Sequence, residues 1–121
     1  MKHVHWLTAH PYTYSVLIYI GTWKEFHRYM KKSWNLDMGD QEFYGGMSQA
    51  ISNKAAEYAT IWLPRWENNP ADISTLSHEL NHMCFRMFDK IGIKVREGKK
   101  NEAFCYTQDD LLQRALETLN A

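Results

Sequence analysis

The longest regular pattern of apolar and polar positions lies between Asn69 and Gly92. Ile73, Leu76, Leu80, Met83, Met87 and Ile91 recur at steps of three and four, which places them in one stripe of a helix. Asn69 is a capping residue, Pro70 suits a first turn, Asp72 puts negative charge near the amino end, and Gly92 suits a C-terminal stop. The spacing predicts a helix over 70–91. A second helix opens at Asn101–Glu102, with Phe104, Leu111, Leu112, Ala115, Leu116 and Leu119 as its apolar positions. Thr22 caps a further helix from about Trp23 to Trp34, with Phe26, Tyr29, Met30 and Trp34 facing inward.

The remaining patterned segments read as strands. Tyr12–Ile20 is rich in β-branched and aromatic residues and ends at Gly21. Met47–Ile51 and Ala55–Leu63, joined by Ser-Asn-Lys, read as a β-hairpin. The alternation in Glu57–Leu63 is imperfect, which predicts burial on both faces or a place beneath the long helix. The N-terminal segment carries His3, His5 and His10. His3 and His5 would share one side of a strand and offer a surface metal pair. The order strand, helix, two strands, helix, helix predicts an α+β fold, a small twisted sheet covered by helices, in one domain over 1–121.

Composition narrows the function classes. The formal net charge is zero, so the chain has no global signature of a nucleic-acid partner. Lys24, Arg28, Lys31 and Lys32 read as the solvated face of their helix. Val16–Ile20 is much too short to span a bilayer, so no membrane partner is expected. The N-terminus lacks the apolar core of a secretory signal, and cytosolic residence is the simplest expectation. Cys84 and Cys105 do not make a disulfide framework and read as buried reduced thiols.

The candidate chemistry lies inside the long helix, in His78-Glu79-Leu80-Asn81-His82. Residues four apart lie on one helix face, so two imidazoles can ligate one Zn²⁺ from the same side. Glu79 is then placed to act as general base on water at that metal. The histidines project nearly opposite the apolar stripe. Their side carries Phe85, and this predicts a second covering element. Catalytic zinc takes three protein ligands and keeps one position open. Glu102 is the best-placed third ligand, ahead of Asp89, Glu97, Asp109 and Asp110. Phe85 and Phe88 occupy the positions where the metzincin pattern would need glycine and a ligand.

Over roughly its last fifty residues the chain resembles the gluzincins, zinc metallopeptidases whose third ligand is a glutamate on the helix after the H-E-x-x-H helix. Asn101-Glu102 is similar to the N-E pair of the thermolysin-like members. The resemblance implies a minimal zincin-like half-domain. In it His78, His82 and Glu102 bind zinc, Glu79 is the base, and the partner is a peptide or protein substrate. Two departures stand out. Tyr106 occupies the place of a ligand-orienting aspartate. The subdomain that supplies a His or Tyr for the tetrahedral intermediate is missing, leaving Tyr106, His10 or Tyr12 as candidates for that role. The resemblance also implies an edge strand that pairs with an extended substrate. Either Met47–Ile51 or Ala55–Leu63 would serve. A competing reading is a zincin scaffold without catalysis, of the kind phages or mobile elements encode, that binds a host or partner protein. Glu79 favours hydrolysis, because zinc binding alone does not need it.

Overall fold

The computed structural model describes residues 2–10, 12, 14–39, 45–52, 57–95 and 101–121, the side chain of Ser52 excepted. The elements are β1 (Val4–Ala9), β2 (Tyr14–Ile20), α1 (Trp23–Trp34), β3 (Met47–Ser52), β4 (Glu57–Leu63), α2 (Pro70–Ile91) and α3 (Glu102–Leu119). The fold is α+β. Ala55 and Ala56, expected to begin the last strand, lie outside the described residues, as does the Asn53–Lys54 turn.

The four strands form one mixed sheet in the order β1-β2-β4-β3. β1 pairs antiparallel with β2, β2 parallel with β4, and β4 antiparallel with β3. A parallel pair needs a crossover, and the chain between β2 and β4 supplies it with α1 and β3. β3 is an edge strand and β4 is central, which answers the question the hairpin left open.

Strand alternation sends side chains to opposite faces. Val16, Ile18, Ile20, Ala59, Ile61 and Leu63 meet Leu76, Leu80, Met83, Met87 and Phe88 of α2 and Leu111, Ala115 and Leu119 of α3. Leu17, Tyr19, Tyr58 and Trp62 meet Phe26 and Met30 of α1, with Tyr29 and Trp34 packed against them. The inward residues expected for α1 are all in this second cluster. β4 is buried on both faces after Glu57, as its imperfect alternation predicts.

Helix ends follow local chemistry. Thr22 and Glu25 form a reciprocal capping box at α1. The Asn69 side chain accepts from Asp72 N at 2.8 Å, and Gly92 closes α2 in the left-handed conformation with φ 82°. Asn101 precedes α3 without a side-chain cap. Arg114 donates to Thr8 O and so ties α3 to β1. Trp66 Nε1 donates to Asn120 Oδ1 at 2.8 Å, which anchors the end of α3 to the segment entering α2.

Four features differ from expectation. β1 joins the sheet as a strand beyond the expected three. Ile91 is exposed at the last turn of α2, while Cys84 and Phe88 extend the buried stripe toward α3. Cys105 is exposed because it lies on the outer side of α3; Cys84 is buried. Of the expected surface pair His3 and His5, only His3 is exposed; His5 is buried, and their Nδ1 and Nε2 atoms are bonded to Ile20 O and Lys2 O respectively.

Candidate metal centre

α2 is seated by its aliphatic stripe, which turns the opposite side outward. His78 and His82 are exposed there, one turn apart, with ring centroids 4.7 Å apart and planes 83° from parallel. Their Nε2 atoms lie 3.1 Å from one another. Glu79 is 6% exposed, on the flank of α2 between the histidines and the sheet. One ligand atom from each of His78, Glu79 and His82 lies within 4.8 Å of the others.

The donor set and its spacing fit a metal. At metal–nitrogen distances of about 2.0–2.1 Å, two tetrahedral zinc ligands lie about 3.3 Å apart. The observed 3.1 Å corresponds to an angle of about 100° at a metal held by both nitrogens. Neutral imidazole is a ligand that zinc accepts readily.

The buried glutamate owes its place to a close backbone approach. A Cβ on Gly46 would lie 2.9 Å from Thr75 Cγ2, 3.3 Å from the Trp62 carbonyl oxygen and 3.5 Å from Glu79 Cγ. Only glycine lets the chain entering β3 sit against this flank of α2. Burial pushes the Glu79 carboxyl above the usual carboxylate range. His78, His82 and Arg86 pull in the opposite direction more weakly. Arg86, one turn after His82, donates from Nη1 to Ser48 Oγ of β3 at 3.0 Å. The sequence reading missed Gly46, Ser48 and Arg86. The signal for Arg86 was present, since a residue seven after Glu79 and four after His82 falls on their side of a helix.

The structure brings His78, Glu79 and His82 together; Glu102 and Tyr106 are not members of that cluster. Glu102 is exposed on the first turn of α3. Tyr106 is 70% exposed and lines a pocket with His10, Tyr12, Ala103, Thr107 and Asp110, beside the β1–β2 turn. His10 and Tyr12 therefore stand with Tyr106 rather than with the histidine pair. Asp89, Asp109 and Asp110 are exposed and also outside the cluster, and Glu97 lies beyond the described residues. Among the described residues no element covers the exposed histidines. Phe85 is 53% exposed, with its ring 4.5 Å from that of Phe104 on α3.

The chain matches no family model, no characterised protein and no solved structure. Its site is therefore read from its own residues. Among the described residues no helix is long and apolar enough to cross a membrane.

Proposed function

We propose that the chain is a zinc-dependent metallopeptidase of gluzincin type, with His78 and His82 as metal ligands and Glu79 as general base. The observation that carries this reading is the 3.1 Å separation of the two Nε2 atoms with a buried carboxylate beside them. Glu102 is the third ligand in this reading by its place in the sequence; it stands exposed on the uncapped first turn of α3, outside the three-residue cluster. Zinc, when bound, polarises a peptide carbonyl and brings the pKa of water to about 7.

The chain's own groups supply the rest. Glu79 takes a proton at its carboxylate from the attacking water and passes it to the leaving nitrogen. Burial suits it to this task, because a carboxyl raised above its usual range holds the proton more firmly than an exposed one. β3 pairs with β4 on one side only, and its free edge is suited to an extended peptide through backbone hydrogen bonds. Cytosolic residence fits an exposed free thiol at Cys105. Tyr106 has no part in the reading, given its place beside His10 and Tyr12.

The second reading, a scaffold that binds a partner protein without hydrolysis, is favoured by one observation. Among the described residues no carboxylate other than Glu79 joins the histidines in the cluster. A peptide-library assay on zinc-loaded protein separates the two. Glu79→Gln should keep its zinc and lose activity by about 10²-fold or more. Equal cleavage by wild type and variant would remove Glu79 from the chemistry. No cleavage by zinc-loaded wild type would favour the scaffold.

A further inference from the structure

A catalytic site that lacks a large second subdomain must find its oxyanion partner near the metal helix itself. Three observations bear on where. Helical side chains lean toward the N-terminus, so Arg86 reaches back over the turn that carries His82. Its Nη1 is held there by Ser48 Oγ at 3.0 Å, on the α2-facing side of the edge strand. That bond uses one of five guanidinium donors, and among the described residues no carboxylate pairs with Arg86 within 4.0 Å. The other arginines with ion pairs, Arg65 and Arg114, are engaged with Asp72 and Asp110. Arg86 is also exposed, so a ligand can reach it.

We infer that Arg86 is a catalytic residue that binds the anionic oxygen of a ligand seated at the His78–His82 pair, between α2 and the edge of β3. This inference rests on the metallopeptidase reading and adds to it the group that receives negative charge. When water adds to a peptide carbonyl, a carbon–oxygen bond forms and the carbonyl π pair moves onto its oxygen. Glu79 holds the proton released, and the guanidinium donates to the oxygen that has gained charge. A charge-assisted hydrogen bond of this kind strengthens as charge develops. Ser48 acts as the positioning residue, fixing one arm of the guanidinium and leaving its other donors to the ligand.

The test uses full-length protein, zinc-loaded, with methylphosphonate as a tetrahedral anionic probe and binding read by calorimetry. Metal content and thermal unfolding are measured on the same samples. Arg86→Ala should retain its zinc and its melting temperature, and bind methylphosphonate at least tenfold more weakly. Arg86→Lys should fall between the two, and Ser48→Ala should weaken binding by a smaller factor than Arg86→Ala. In the hydrolysis assay the loss should appear in kcat more than in KM. Methylphosphonate affinity within twofold of wild type in zinc-loaded, folded Arg86→Ala would overturn the inference alone. Wild-type protein that takes up no zinc would overturn the metallopeptidase reading and this inference with it.

Discussion

Where α1 covers the sheet the contacts are aromatic; where α2 and α3 cover it they are mostly aliphatic and methionine. On the α1 side Phe26 meets Tyr19 at 5.4 Å, Trp23 at 5.3 Å and Trp62 at 6.4 Å between ring centroids. Trp34 and Trp6 both pack on Tyr58. That density has a cost. Among the described residues Trp34 Nε1 is buried without a hydrogen-bond partner, and burial pushes the Tyr58 hydroxyl up to about 12 against the weaker opposing pull of the Thr60 hydroxyl. A buried unpaired group costs about 1–3 kcal/mol, which the large rings offset through the area they bury. The other side is built from Leu76, Leu80, Met83 and Met87, which seat α2 without polar atoms. The buried polar groups on α2 are Asp72, which accepts from Glu67 N, and Glu79. One layer packs rings against the sheet; the other seats a helix whose outer face carries the exposed His78 and His82.

The largest expected effects come from breaking either layer. Phe26→Ala should cost about 3–5 kcal/mol and Leu80→Ala about 2–5 kcal/mol in urea unfolding. If the division of labour holds, their consequences for metal binding differ. Phe26→Ala should keep near-wild-type zinc affinity in the folded fraction. Leu80→Ala, between Glu79 and the second histidine, should weaken it. Equal loss of zinc affinity in both would mean that the two layers are not separable.

A smaller effect sharpens the contrast from the polar side. The folded Glu79 carboxyl is raised above its unfolded value, mainly by burial. Between those two values the folded state binds more protons than the unfolded one, so stability of metal-free protein falls as pH rises through that window. Above it the penalty is fully present; below the unfolded value it is absent. Glu79→Gln should therefore flatten this part of the pH profile, and at neutral pH it should leave metal-free protein as stable as wild type or more so. A variant that is less stable at neutral pH and keeps the same slope would contradict the assignment.

How much of this was legible before the structure depends on how local each feature is. The bounds of α2 follow from Asn69, Pro70 and Gly92, and the start of α1 from Thr22, because capping is chemistry within one turn. The histidine pair was legible for the same reason, since i and i+4 share a face whatever the rest of the chain does. β1 was not, because its inward set, His5, Leu7 and Ala9, is weakly apolar and becomes a strand through pairing with β2. Arg86 gains its meaning from Ser48, thirty-eight positions away, and Gly46 from the side chains of α2. Contacts of that kind are not written in local periodicity. Glu102 belongs to the same class, since its relation to the histidines depends on how α3 docks on α2.

The central claim is that His78 and His82 hold one metal ion. The most direct test is zinc content and affinity of the purified chain, by elemental analysis and competition with a chromophoric chelator, beside His82→Ala and Glu102→Ala. Because both histidines are exposed, His82→Ala should unfold within about 0.5 kcal/mol of wild type in the absence of metal. The account predicts about one zinc per wild-type chain, lost in His82→Ala and weakened or lost in Glu102→Ala. Wild-type protein with no stoichiometric zinc after reconstitution, or His82→Ala that binds zinc as wild type does, would contradict it.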